Sequence, residues 1–236
     1  MKNIDHRDEI LPSDGGPVYF ETNLENWVAE PWNTVTAFMF LLIAAFWVRK
    51  LVLDGKMKQV FLRFAVPMLA IGGLGGTLYH ALRTDFWLMM MDWLPILLLI
   101  LGCSAYFLRL VSGAWWKAFA YILAAFVFLA VVSWVIPNHQ DALKTNLTYF
   151  IQFMIVLLPT VLVLKKTRFK YSVYVFVASG SFALALFFRI ADPWGWIPMG
   201  THFLWHVFGA CACQMMFVYI YRLDKNKAVF RDMGRQ

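Results

Sequence analysis

Charged side chains are scarce in this sequence: they make up 15% of its 236 residues, against roughly a quarter in an ordinary soluble domain. With 61% of the chain drawn from Ala, Val, Ile, Leu, Met, Phe, Trp, Tyr and Cys, there is too little polar surface to face water, which excludes a soluble globule. Cysteine is also rare. Cys103, Cys211 and Cys213 all lie in apolar runs, an odd number without ligand-type spacing, so neither a disulfide framework nor a cysteine zinc cage is available. They read as packing residues. No internal repeat, low-complexity tract or long linker divides the chain. The first 31 residues carry seven acids (Asp5, Asp8, Glu9, Asp14, Glu21, Glu25, Glu30) and no apolar core, so this segment is not a cleaved signal and is expected to remain in the mature protein.

What the chain has instead is length in apolar runs. A hydrocarbon slab about 30 Å thick needs about 20 mainly apolar residues per helix. Runs near 34–48, 60–82, 86–108, 116–136, 147–164, 171–190 and 201–221 predict an all-α membrane protein, a bundle of seven transmembrane helices. Arg49-Lys50, Arg109, Trp115-Trp116-Lys117, Pro137-Asn138, Lys165-Lys166 and Arg222 mark where these runs meet water. Three parts follow: a polar N-terminal segment over 1–31, the helical domain over 32–222, and a basic tail over 223–236.

The formal charge of +7, from 21 Lys+Arg against 14 Asp+Glu, is explained by these flanking positions, and nucleic acid is excluded as a partner. With seven crossings, one side of the membrane holds 5 Lys+Arg and the other 16. The positive-inside bias places the N-terminus outside and the C-terminus in the cytoplasm. Short loops and the lack of a retention signal favour a bacterial inner membrane.

Ionisable side chains within such helices are costly and call for a partner or a function. Four stand out. His80 ends the second run in Gly72-Gly-Leu-Gly-Gly-Thr-Leu-Tyr-His80, Asp92 lies early in the third, and His202 and His206 open the seventh. A spacing of four puts His202 and His206 on one helix face, where two nitrogens can grip one metal ion. The direction of the runs brings all four residues to one depth near the outer side. Three imidazoles with a carboxylate nearby match a zinc site with an open fourth position, and imidazole suits zinc better than magnesium or calcium. Asp92 is open to two roles, a general base or a carboxylate that holds an imidazole tautomer; a salt bridge to Arg83 or Arg189 is the plain alternative. Before the first run, Glu21-Thr-Asn23, Glu25-Asn26 and Ala29-Glu30-Pro31-Trp32-Asn33-Thr34 crowd oxygen donors of the kind calcium uses. A solvated loop, with Glu30 and Asn33 as helix caps, would look the same.

These stretches together resemble the alkaline ceramidases of the CREST superfamily of seven-helix membrane hydrolases. The resemblance rests on Glu-x-Asn and Ala-Glu-Pro-Trp-Asn-Thr before the first helix, Gly-Leu-Gly-Gly-x-x-Tyr-His before a carboxylate, and Gly-Thr-His-x-x-x-His in the last helix. It implies a zinc-dependent amidase that splits ceramide-like lipids into a sphingoid base and a fatty acid. Under that resemblance His80, His202 and His206 hold zinc, Asp92 moves the water proton, and Glu21, Asn23 and Glu30 hold calcium. The chain departs from the family pattern in several places. Gly76 stands where the family has a serine thought to hold the oxyanion, with Thr77 beside it as a substitute only if the helix is irregular. The interval from His80 to Asp92 is one residue longer and that from Glu21 to Glu30 about two shorter. Val18 and Tyr19 replace an acid and a tryptophan, and Asp192 fits a recurrent position that reads simply as a loop cap. Because of Gly76, a non-catalytic lipid-binding receptor with a structural zinc stands as the alternative to the enzyme. Transport lacks paired broken helices.

Overall fold

Each apolar run folds as one α-helix in the structure, a computed structural model that describes residues 11–56, 59–136 and 141–225. The acids Asp5, Asp8 and Glu9, the boundary at Pro137-Asn138 and the tail beyond residue 225 lie outside the described residues. The helices are α1 (Pro31–Leu53), α2 (Val60–Leu82), α3 (Phe86–Ser112), α4 (Trp115–Val135), α5 (Asp141–Lys166), α6 (Ser172–Ala191) and α7 (His202–Lys225). Among the described residues these seven are long and apolar enough to cross a membrane.

The helix ends differ from the apolar runs where polar residues continue a helix. α1 starts at Pro31 instead of 34. Proline suits the first helical position, and the Glu21 carboxylate accepts from the free amides of Trp32 at 2.5 Å and Asn33 at 3.0 Å. α5 starts at Asp141 instead of 147 because its first turns are polar, with Lys144, Thr145 and Asn146. α7 runs to Lys225, three residues into the segment expected to be tail.

α1, α2, α3, α5, α6 and α7 pack in that order as a closed ring, with α7 returning to α1, while α4 lies outside against α3 and α5. The ring tightens around α2, whose glycines leave room for backbone approach on two sides. A Cβ on Gly73 would stand 2.8 Å from the Leu41 amide nitrogen of α1, and one on Gly75 would stand 2.4–2.6 Å from Met91 of α3. On the outer helix α4, Phe119, Leu123, Val127 and Trp134 are exposed, the pattern of a helix whose flank meets acyl chains rather than protein.

The two ends of the ring differ in chemistry. One end is closed by a dry cluster that includes Trp47, Leu51, Leu62, Phe107, Val163 and Tyr219. The other gathers buried polar groups: Glu30, His80, Arg83, Asp192, His202 and His206. Between them lies an apolar cavity of about 190 Å³, walled by all six ring helices, with Phe40, Leu69, Ile96, Phe153, Phe182 and Ala212 among its lining. Residues 11–30 fold back across the polar end. The Ala29 amide donates to the Ala81 carbonyl at 2.9 Å, and the Ser13 hydroxyl donates to the Thr84 carbonyl at 2.9 Å.

Candidate metal centre

His80 sits in the last turn of α2, and His202 and His206 in the first two turns of α7. Asp192, just after α6, sets where α7 begins. Its buried carboxylate accepts from the Thr201 amide at 2.7 Å and the His202 amide at 2.9 Å, and its second oxygen accepts from the Phe20 amide at 2.9 Å. It is a helix cap and a tie to the N-terminal segment at once. Gly200 makes this possible. Its φ of +67° suits glycine, and a Cβ there would lie 2.4 Å from Asp192 Oδ1.

The three imidazoles converge. All are buried, and their ring centroids are 5.6 Å (His80–His202), 4.8 Å (His80–His206) and 5.0 Å (His202–His206) apart. One ring nitrogen from each lies within 4.8 Å of the others. Three nitrogens bound at about 2.0–2.1 Å in tetrahedral geometry would stand about 3.4 Å apart, so small side-chain movements complete such a site. His80 Nδ1 is 2.5 Å from Glu30 Oε2, and His206 Nδ1 is 3.1 Å from the Asn33 carbonyl oxygen and 3.1 Å from the Thr36 hydroxyl. Because a carboxylate and a carbonyl only accept, both Nδ1 atoms carry the proton, and each Nε2 keeps a bare lone pair. His80 Nε2 and His202 Nδ1 are buried with no hydrogen-bond partner. Two unpartnered nitrogens in a cluster of three buried imidazoles, with Nδ1 of His80 and of His206 held by acceptors, fit a borderline metal such as zinc.

Asp92 and His206 line one small cavity that shares Phe40, Leu69, Ile96, Leu99 and Trp205 with the larger apolar chamber. The salt bridge considered for Asp92 is not made: Arg83 pairs with Asp14 and Glu30, and Arg189 donates to the Asn146 side chain at 3.3 Å. Asp92 instead fills the space beside Gly76, where a Cβ would stand 2.4 Å from Asp92 Oδ1. The α-helix is unbroken through this stretch, and the Thr77 hydroxyl donates to the Gly73 carbonyl one turn back at 2.6 Å. Its proton is therefore committed to its own helix.

The oxygens assigned to calcium are engaged by protein donors. Glu21 caps α1, Asn23 Oδ1 accepts from the Glu25 amide at 3.0 Å, and Glu30 bonds His80, Arg83, Thr22 and Asn33. Burial alone would raise the Glu30 carboxyl, but the hydrogen bond from His80, the charge of Arg83 and the hydrogen bond from Thr22 outweigh it and hold the group below its ordinary range. Burial pushes the Glu21 carboxyl up, with the Trp32 and Asn33 amides opposing.

The roles of two site residues are not visible in the sequence. Tyr19 stacks on His202, with ring centroids 3.8 Å apart and planes inclined by 26°, and so roofs the histidines. Arg83, the C-cap of α2 at φ 53°, adopts a left-handed conformation that costs a non-glycine residue roughly 1–2 kcal/mol. Its side chain is fully enclosed with Asp14 and Glu30. The pairing of Arg83 with Asp14 spans 69 residues, and no local pattern signals it. In comparisons with known proteins, no family model and no curated protein matches this chain.

Proposed function

We propose that the protein is a zinc-dependent intramembrane hydrolase of lipid amides, acting on ceramide-like N-acyl sphingoid substrates to release a sphingoid base and a fatty acid. One observation carries this reading: three buried imidazoles, two of them with an unpartnered nitrogen, meet next to a small cavity that holds the Asp92 carboxylate and adjoins an apolar chamber. The substrate class follows the sequence resemblance to the alkaline ceramidases and the apolar lining of that chamber. At about 190 Å³, it exceeds the engineered cavities of about 150 Å³ that take up benzene.

His80, His202 and His206 would hold the metal, which when bound supplies Lewis acidity toward an amide carbonyl and toward water. Glu30 and the Asn33 carbonyl keep His80 and His206 in the tautomer that ligates. Asp92 takes a proton as the water oxygen bonds to the acyl carbon, then returns it to the leaving nitrogen as the C–N bond breaks. One water is consumed, and the products are the acid and the amine. Tyr19 shields the far side of His202, and the chamber receives the acyl chain. The distribution of Lys+Arg supports placing this end of the bundle on the exoplasmic face, and the short loops favour a bacterial inner membrane.

The test is metal content together with turnover. Purified protein should hold about one zinc per chain and release fatty acid from N-acyl sphingoid lipids, and Asp92→Asn should keep the zinc and lose the release. A specific observation favours a second reading. Gly76 offers no hydroxyl to an oxyanion, and Asp92 Oδ1 lies 2.4 Å from where a Cβ at that position would stand, so the protein would be a lipid-binding receptor that keeps zinc for structure. Wild-type protein that holds zinc and binds these lipids without cleaving them would establish that reading and end the first.

A further inference from the structure

We propose that Arg83 is a positioning residue for the metal centre, a built-in cation that fixes the N-terminal segment over the histidines and occupies the place a divalent ion would otherwise take. Its guanidinium is ringed by oxygens from residues that are close together in the N-terminal segment and far from Arg83 in sequence. Nε donates to Asp14 Oδ2 at 2.7 Å; Nη2 donates to Asp14 Oδ1 at 3.2 Å and to the Pro17 carbonyl at 2.9 Å; Nη1 donates to Glu30 Oε1 and, at 3.4 Å, to the Thr22 hydroxyl. Two carboxylates, a hydroxyl and a backbone carbonyl are the donor set of a hard cation. Here a planar fork satisfies them, with the bidentate match to carboxylate that arginine makes and a point charge does not.

The surroundings show that the arrangement is built for this cation. None of the Arg83, Asp14 and Glu30 side chains reaches solvent. The guanidinium carbon lies 4.8 Å from the Tyr79 ring centroid and 5.6 Å from that of Tyr19, within the range of cation–π attraction. The left-handed backbone at Arg83 favours glycine, so the side chain is what holds arginine there. The link to the metal centre runs through one residue. Glu30 Oε1 meets Arg83 while Glu30 Oε2 meets His80 Nδ1, and the Tyr19 ring beside the guanidinium is the one stacked on His202. Without Arg83, Asp14 and Glu30 would be buried carboxylates with no cation between them, and both the carboxylate on His80 and the roof on His202 would lose their anchor.

The full chain in detergent, prepared free of calcium, tests this with zinc affinity from chelator competition and thermal melting, each with and without millimolar calcium chloride. Wild type should show neither measure change with calcium. Arg83→Gly, which suits the backbone and removes the cation, should bind zinc at least about tenfold more weakly, and calcium should restore much of that loss. Arg83→Lys, a cation without the fork, should fall between the two. A saturable rise in the wild-type melting temperature with calcium would overturn the proposal, as would wild-type zinc affinity in Arg83→Gly without calcium. Should the glycine variant fold only when calcium is present, the proposal is supported; should it fold in neither condition, wild-type zinc affinity in Arg83→Lys overturns it. No turnover is measured, and melting is read on zinc-free protein, so failure of the hydrolase reading leaves this test intact.

Discussion

His80 and Glu30, fifty residues apart in the chain, meet through a 2.5 Å contact between Nδ1 and Oε2, with neither side chain open to solvent. The carboxylate fixes the proton on Nδ1, which turns the lone pair of Nε2 toward His202 and His206. Glu30→Gln removes the charge while keeping the shape, and an amide can present its NH2 group to the imidazole as readily as its oxygen. Zinc affinity should fall by about 10- to 100-fold, read by competition with a chromogenic chelator. Unchanged affinity would show that Glu30 does not orient His80.

Gly76→Ser would restore the hydroxyl that the resemblance leads one to miss, yet it should lower turnover. A Cβ at this position would lie 2.4 Å from Asp92 Oδ1, so the carboxylate must swing away. Displacement of a catalytic group by about 1 Å can cost on the order of a hundredfold, and a loss of that size is expected in fatty-acid release, with zinc content retained. Higher turnover in the serine variant would mean that Asp92 is not the proton carrier in the position seen here.

Thr77→Val tests the neighbouring hydroxyl. The Thr77 proton is donated to the Gly73 carbonyl, a bond common for threonine within helices, and turnover should stay within about twofold of wild type. A drop of a hundredfold or more with zinc retained would instead assign Thr77 to the oxyanion.

Ala212→Phe tests the chamber as the seat of the acyl chain. Ala212 is buried in its wall, and a phenyl ring there shortens the space. The ratio of long-chain to short-chain turnover should drop by about tenfold or more. An unchanged ratio would place the acyl chain elsewhere.

The bundle and the histidine cluster are both legible in the sequence, for physical reasons that apply to few other features of this chain. Apolar runs of membrane length leave little choice but helices, and the direction of alternating crossings brings the end of α2 beside the start of α7. His80, His202 and His206 could thus be matched in depth from their positions in the runs alone. Asp192 reads from the sequence only as a loop cap, because a carboxylate that caps α7 and also holds the Phe20 amide is defined only once the N-terminal segment is folded. For Arg83 the sequence offers Asp92 as the nearer partner, whereas the fold pairs it with Asp14. Tyr19 reads in the sequence as a mere departure from a family pattern, and its stacking on His202 depends on the path of residues 11–30 over the bundle. In each case a pairing between distant segments, invisible to periodicity, decides the geometry.

Zinc content measured beside fatty-acid release, on wild type and His202→Ala in parallel, tests the central claim most directly. The expected result is about one zinc per wild-type chain with hydrolysis of N-acyl sphingoid lipids, and loss of both in His202→Ala. Full metal occupancy in the variant, or full turnover by wild type stripped of zinc, would contradict the account.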